Sequence, residues 1–141
     1  MITENRGQIN QITGKGGEDA ACEYLRSEGY TIVHRNYRIA HDEIDIIAED
    51  DKYVVFVEVK TRTERMDNRY GAPSAAVNAK KRACVARAAA RYIKSHGTNG
   101  KFCRCDVIEV LICHDKVTGR GYTKINHIKS AFGAGGRLPP Y

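Results

Sequence analysis

The amino-acid sequence predicts an α/β fold in which a mixed β-sheet of about five strands is flanked by helices. The first observation is the order of segments, which reads as a helix, three strands, a second helix and one or two further strands. The second is the hydrophobic spacing, which changes from a helical period to the alternation typical of strands. The third is the length of 141 residues, which favours one domain with a buried core.

The sequence also predicts the limits of this domain and the cellular location of the protein. We expect it to span residues 14–132, between a flexible N-terminus at 1–13 and a flexible C-terminal tail at 133–141. No apolar run approaches the roughly 18 residues of a membrane span, and the N-terminus lacks the apolar core of a secretory signal. We therefore expect a cytoplasmic protein with no membrane partner. Five scattered cysteines fit reduced thiols in that compartment.

The first predicted helix lies within residues 14–29, which glycines bound at both ends. Ala21, Cys22 and Leu25 follow the spacing of a buried helical face. Glu18 falls on that same face. Two interpretations of this carboxylate stay open: it complements the helix dipole near the N-terminus, or it points inward at a functional site.

Five strands, a loop and a second helix follow. Residues 31–38 predict a strand, residues 43–60 a hairpin, and residues 61–74 a polar loop marked by Gly and Pro. Asn78 is a suitable N-cap for a helix that runs to about residue 96 and ends before a glycine. Residues 102–112 predict a further strand and residues 122–125 a shorter one. Residues 127–132 read as a final amphipathic turn.

The hairpin EIDIIAEDDKYVVFVEVK, residues 43–60, contains charges inside apolar strands. A turn centred between Asp51 and Lys52 makes the numbers of paired residues add up to 103. Asp45 then lies opposite Glu58, and Glu43 opposite Lys60. Strand alternation places these four side chains on one face together with Ile47 and Phe56. The other face is wholly apolar and contains Ile44, Ile46, Val55, Val57 and Val59.

Two opposed carboxylates repel each other, so this register requires something that offsets the repulsion. A bound cation, a shared proton or the neighbouring Lys60 would do so. Paired carboxylate oxygens suit Mg²⁺ or Mn²⁺, and Glu18 would add a third carboxylate if its helix packs over this face. The alternative is a plain ion pair between Glu43 and Lys60 at a solvent-facing sheet edge.

The charge of the chain favours partners that carry phosphate. The formal net charge is +6 at pH 7, and six Lys and Arg residues lie between positions 80 and 94. A basic surface of this kind attracts nucleic acid or another anionic surface. For each individual residue, a solvated basic helix face explains the charge equally well.

The motifs together resemble a known family. Asp45 followed by Glu58-Val59-Lys60 matches the D…(D/E)-x-K signature of the restriction-endonuclease-like PD-(D/E)xK superfamily. With its further motifs, the chain resembles the YraN-type family of small bacterial predicted endonucleases, which are similar to archaeal Holliday-junction resolvases. The resemblance covers about residues 14–130 and includes Gly14-x-x-Gly17-Glu18, Arg35-Asn36-Tyr37-Arg38, Gly71-Ala72-Pro73, Lys80 and Asp106-Val107-Ile108.

This resemblance implies a restriction-endonuclease-like core and a metal-dependent nuclease that hydrolyses phosphodiester bonds in DNA, including branched or structured DNA. Asp45 and Glu58 would be the ligands of Mg²⁺ (or Mn²⁺), and Glu18 the acidic residue of the helix. Lys60 would complete the catalytic set. Candidates for phosphate contacts, which position nucleic acid without reading its sequence, are Arg38, Arg62, Lys80 and Lys81.

Two positions depart from the family pattern, and two other functions stay open. Ile44 precedes Asp45 where the superfamily often has proline, and Asp42 precedes Glu43 where the family usually has glycine. A carboxylate at position 42 either perturbs the metal geometry or lies in solvent. The first alternative function is a catalytically silent nucleic-acid-binding module with the same fold. The second is an interaction protein with an acidic partner. A homodimer would suit a substrate with two strands.

Overall fold

The computed structural model describes residues 2–5, 14–63 and 79–132 of the chain. In this part, six strands form one sheet and two helices pack against it. The α/β class with a mixed central sheet is confirmed, and the arrangement is consistent with a restriction-endonuclease-like core. In chain order the elements are β1 (Ile2–Asn5), α1 (Gly14–Ser27), β2 (Thr31–Ile39), β3 (Asp42–Glu49), β4 (Tyr53–Thr63), α2 (Ala79–His96), β5 (Phe102–His114) and β6 (Gly121–Phe132).

The strand order in the sheet is β1-β6-β5-β4-β3-β2. β4 and β5 are parallel, and the other neighbouring strands are antiparallel. A parallel pair requires a crossover connection, which here contains α2. The sheet has one strand more than the five expected. The additional strand is β1, which lies in the segment 1–13 and pairs with β6.

The two helices cover opposite faces of the sheet. Ile47 and Phe56 pack with Val85, Ala89 and Tyr92 of α2 in one buried cluster. A second buried cluster, on the other face, packs Val55 and Val57 of β4 against Ala21 and Leu25 of α1. Strand alternation sends neighbouring side chains to opposite faces, so one hairpin supplies both clusters. The buried face predicted for α1 is confirmed.

The end of β6 differs from the expected amphipathic turn at residues 127–132. The strand continues to Phe132, with Ile128 opposite Val107 and Phe132 opposite Cys105 of β5. Burial of Thr123, Ile125 and His127 alternates with partly exposed residues, which is the period of a strand. The expected turn was wrong because a short segment carries too few residues to separate the two periods.

Several predicted features fall outside the described residues: most of the loop at 61–74, the N-cap Asn78 and the tail at 133–141. Within the described helices, neither α1 nor α2 is long and apolar enough to cross a membrane.

Candidate active site

The hairpin of β3 and β4 has the register that the sequence predicts. The paired residues run from Glu49 opposite Val54 to Ile46 opposite Val57. Asp50 closes the turn, since its Oδ1 accepts hydrogen bonds from the amides of Lys52 (2.9 Å) and Tyr53 (2.7 Å). Asp45 and Glu58 come next beyond the last of these pairs. They are close enough for their charges to act on each other.

The alternation of side chains along β3 is interrupted at Asp45. On its other side, β2 pairs Arg35 with Ile46 and Tyr37 with Ile44, and Asn36 between them has a φ of 51°. Ile44 packs with Ile47 in the α2 cluster, whereas Ile46 packs in the α1 cluster. The prediction that Ile44 shares a face with Ile46 was therefore wrong, because the alternation of β3 is interrupted at Asp45. The amide of Val59 donates to Asp45 Oδ2 (2.8 Å) at this point.

Glu58 is the most deeply buried carboxylate of the predicted set, with its side chain 5% exposed. Its Oε2 atom has no hydrogen-bond partner within the described part of the chain. Burial, followed by the charge of Asp45, raises the pKa of Glu58 to about 7. Burial also raises the pKa of Asp45, although the Val59 amide opposes that shift. The two carboxylates therefore form a strained acidic pair that favours a proton or a cation.

Two lysines act on this pair from different elements. The Nζ atom of Lys81, on α2, lies 3.5 Å from Glu58 Oε1. The charges of Lys81 and Lys60 both lower the pKa of Glu58, and the effect of Lys81 is the larger. Among the described residues, Lys81 is thus the closest cation to Glu58, although the sequence suggested it only as a phosphate contact. No sequence signal identified this role, since position 81 lies 23 residues from Glu58.

Glu18 lies beside the acidic pair but has partners of its own. Its side chain is 17% exposed, hydrogen-bonds to Asn36 and lies 3.7 Å from Arg35 Nη2. Burial raises the pKa of Glu18, and the charge of Asp45 adds to that shift. Because α1 begins at Gly14, Glu18 lies beyond the first turn, which favours the inward-pointing interpretation.

Gly17 brings this end of α1 against β4. A Cβ atom at position 17 would collide with Oγ1 of Thr61, so only glycine allows this approach. Even so, no group of three or more His, Cys, Asp or Glu side chains forms a metal-binding cluster in residues 14–63 and 79–132. The structure brings Asp45 and Glu58 together and leaves Glu18 at their side.

The remaining charges of the hairpin have other neighbours than expected. Glu43 lies opposite Arg38 of β2, with 3.6 Å between Glu43 Oε2 and Arg38 Nε. Lys60 lies opposite Glu109 in the parallel pairing of β4 with β5. The expected pair of Glu43 with Lys60 does not occur among the paired positions, because the β3–β4 pairing ends at Ile46 and Val57.

The four candidate phosphate-binding residues are in different environments. Arg38 is 79% exposed and Lys80 is exposed, so both can reach a ligand in solvent. Arg62 contacts the buried Glu109, with 3.0 Å between Nη1 and Oε2. Its guanidinium therefore neutralises a buried carboxylate of the core.

Asp42 adopts neither position that the sequence left open. It is buried and accepts two hydrogen bonds from Arg87 of α2, at 3.2 and 3.3 Å, while Arg91 lies 3.7 Å away. These hydrogen bonds hold the pKa of Asp42 below its ordinary value. Asp42 thus fastens the start of β3 to α2.

The acidic pair fits a hard divalent cation. One oxygen of Glu58 is buried without a partner among the described residues, and one oxygen of Asp45 is already oriented by a backbone amide. Mg²⁺ is commonly held by one or two carboxylates, with water and substrate phosphate completing its coordination. Two converging carboxylates are therefore a sufficient protein contribution for Asp45 and Glu58 to hold Mg²⁺ or Mn²⁺.

Comparison with known proteins places this chain in a family. A family model described as "Uncharacterised protein family UPF0102" matches residues 17–110. A UPF0102 protein of Symbiobacterium thermophilum is 48% identical over 102 residues, which cover 72% of this chain and 84% of the relative. A UPF0102 protein of Moorella thermoacetica is 39% identical over 133 residues, which cover 94% of this chain and 98% of the relative. The region matched by the family model contains most of α1, the hairpin and α2.

Proposed function

Because the chain belongs to the uncharacterised protein family UPF0102, we infer its reaction from its site. We propose that it is a metal-dependent nuclease that hydrolyses phosphodiester bonds in DNA. The observation that carries this proposal is the buried acidic pair, in which Glu58 Oε2 has no partner within the described residues. Burying two carboxylates side by side costs stability, and a bound cation offsets that cost. The proposal includes membership of the restriction-endonuclease-like superfamily and a structural relationship to Holliday-junction resolvases.

Asp45 and Glu58 would hold Mg²⁺ or Mn²⁺ in this proposal. The cation, when bound, would lower the pKa of a coordinated water and polarise the phosphate. The Val59 amide fixes the orientation of Asp45, and burial excludes water from Glu58. Lys60 would stabilise the charge that develops on the phosphate oxygens. Glu18, at the side of the pair, would assist through a water molecule.

The surface around the pair suits DNA. Arg38 and Lys80 are exposed, and the net charge of +6 favours a polyanionic partner. Contacts of this kind position the backbone without reading sequence, which is compatible with branched or structured DNA. We include a homodimer in the proposal because two active sites would suit a substrate with two strands. The molar mass of the protein in solution, measured by light scattering, tests this part.

A second candidate function is a nucleic-acid-binding module that cleaves nothing. It is favoured by one observation: Glu18 does not join Asp45 and Glu58 in a cluster of three metal-binding side chains within the described ranges. The two candidates share the DNA partner and differ in turnover.

Cleavage of branched and linear DNA in Mg²⁺ or Mn²⁺ tests the proposal. We expect Asp45→Asn and Lys60→Ala each to slow cleavage by about a hundredfold or more, as the loss of one electrostatic contact to a transition state does. The carboxamide that replaces the Asp45 carboxylate keeps an oxygen that can accept the Val59 hydrogen bond, so the fold should survive. Glu43→Gln is the matched control, since it removes a carboxylate from the same strand outside the pair.

Each outcome has a distinct meaning. Metal-dependent cleavage that survives both substitutions contradicts the assigned site. DNA binding without cleavage in either metal supports the silent module. Binding whose affinity does not fall with salt contradicts both candidates, because contacts to phosphate release counterions.

A further inference from the structure

Lys81 occupies the position where a cation is most needed in the metal-free protein. Its Nζ atom lies 3.5 Å from Glu58 Oε1, on a side chain that is 41% exposed, whereas the Glu58 side chain is 5% exposed. The two residues come from different elements, α2 and β4, which pack on each other through the cluster around Phe56 and Val85. Lys81 is therefore accessible to a ligand in solvent, whereas Glu58 is held inside the sheet.

The two oxygens of Glu58 have different surroundings. Oε1 faces the Lys81 ammonium, and Oε2 is buried without a hydrogen-bond partner in the described part of the chain. One ammonium, with a single charge, cannot neutralise both Glu58 and Asp45. The charge of Lys81 also acts on Asp45, so it lies near both members of the pair.

We propose that Lys81 is the resident counter-cation of Glu58 in the metal-free protein, and that its ammonium passes to the scissile phosphate when a divalent cation binds the acidic pair. This proposal rests on the proposed function and adds a second lysine to its site. Lys60 follows Glu58 on the same strand, while Lys81 approaches from the helix. An anionic phosphate at the pair would therefore be contacted from two directions.

The proposal predicts opposite changes in two measured quantities. A positive charge about 4 Å from a metal ligand competes with a cation for that ligand. Lys81→Met should therefore bind Mn²⁺ about threefold to tenfold more tightly than the wild type, in calorimetric titrations at about pH 8.5. The same variant should cleave DNA about tenfold more slowly, or slower still, in single-turnover reactions with saturating Mn²⁺ and DNA. A purely structural ion pair would leave the single-turnover cleavage rate of the folded variant unchanged.

Two further variants complete the experiment. Lys81→Arg keeps the charge and should bind Mn²⁺ as the wild type does. Lys94→Met removes an equal charge from an exposed position of α2 and should leave Mn²⁺ affinity within about twofold of the wild type. Far-ultraviolet circular dichroism checks that each variant keeps its fold.

The outcomes separate this inference from the proposed function. If the wild type binds Mn²⁺ and cleaves DNA while Lys81→Met behaves as Lys94→Met does, the role of Lys81 is overturned and the nuclease stands. If the wild type binds Mn²⁺ without cleaving, the nuclease fails, and tighter binding by Lys81→Met still supports the counter-cation. A wild type that binds no Mn²⁺ overturns both.

Discussion

Glu58 shows how burial changes the chemistry of a single residue. Its carboxylate lies in the sheet between a second carboxylate and two lysines, and its pKa is raised from the ordinary 4.5 to about 7. A carboxylic acid whose pKa is raised by folding binds its proton more tightly in the folded state than in the unfolded chain. Its contribution to stability is therefore lost as the pH rises through the interval between these two values.

We predict that Glu58→Gln removes this pH dependence. The free energy of unfolding of the metal-free wild type should fall relative to that of the variant between pH 4.5 and about 7. Across this interval the difference in free energy of unfolding between the variant and the wild type should change by on the order of 3 kcal/mol in favour of the variant. Urea denaturation in a metal chelator, at about pH 5 and about pH 8, measures the difference. A difference that shrinks as the pH rises would contradict the shifted pKa.

The sequence was informative about Glu58 and Asp45 and uninformative about Lys81 and Asp42. The two carboxylates belong to one hairpin, whose short turn fixes the register, so counting residues from the turn brings them together. Lys81 and Asp42 find their partners through the packing of α2 on the sheet. A packing contact between distant segments has no periodic signal in a single sequence.

Gly17 allows the close contact between α1 and β4. Its position against Thr61 leaves no space for a methyl group, and the next residue is Glu18, which lies at the acidic pair. Gly17 is recognisable in the sequence as part of a motif, but the sequence does not show what it touches. The structure gives the reason: a helix and a strand are in contact through backbone and a hydroxyl.

We predict that Gly17→Ala destabilises the fold by about 1–3 kcal/mol, because the added methyl group forces α1 away from β4. Thr61→Ala removes the hydroxyl that the methyl group would meet and should restore part of the loss in the double variant. Thermal or urea unfolding of the two single variants and the double variant forms a double-mutant cycle. Strictly additive effects would show that Gly17 and Thr61 do not clash.

The hairpin also shows where strand alternation stops being predictive. The regular part, up to Ile46 and Val57, follows the expected faces, while Ile44 beyond Asp45 does not. The interruption coincides with the left-handed conformation of Asn36 on the neighbouring strand. Sequence alternation assumes a regular strand, and it fails between Ile44 and Ile46, next to the site.

At the scale of the whole molecule, a buried polar network connects α1 to β5 and β6. Asp106 of β5 is fully buried and accepts hydrogen bonds from Arg104 Nε (2.9 Å) and the Ser130 amide (2.9 Å), and pairs with His127 Nε2 (2.6 Å). Tyr24 of α1 bonds to His127 Nδ1 at 2.9 Å, and Arg104 Nη2 donates to Tyr30 at 2.7 Å. The network thus links α1 and the loop that follows it to β5 and β6 of the sheet.

We predict that Asp106→Asn is among the most destabilising single substitutions, at about 3–5 kcal/mol, because it leaves Arg104 buried without its carboxylate. Asp42→Asn is the matched control. It also breaks a carboxylate–arginine pair, but Arg87 is 54% exposed and water can solvate it. Urea unfolding should therefore rank Asp106→Asn well above Asp42→Asn, and equal losses would contradict this account.

The fold class and the helix and strand order were predictable because long periodic segments carry strong signals. β1 was missed, since four residues are too few for a pattern and the strand depends on its pairing with β6. The buried network was missed for a related reason. Asp106 lies in an apolar strand whose sequence does not reveal which distant side chains will surround it.

The parallel pairing of β4 with β5 has a consequence for the order in which the molecule assembles. The acidic hairpin closes over a short turn, whereas β5 pairs with β4 only after a crossover of several dozen residues that contains α2 and Lys81. Closing this longer connection costs more chain entropy. We therefore expect the hairpin to form first. Until α2 docks, Asp45 and Glu58 have no ammonium from α2 beside them, so the acidic pair should be protonated or hydrated. When α2 docks on the sheet, it adds the ammonium of Lys81 to the pair of carboxylates, which can then be ionised.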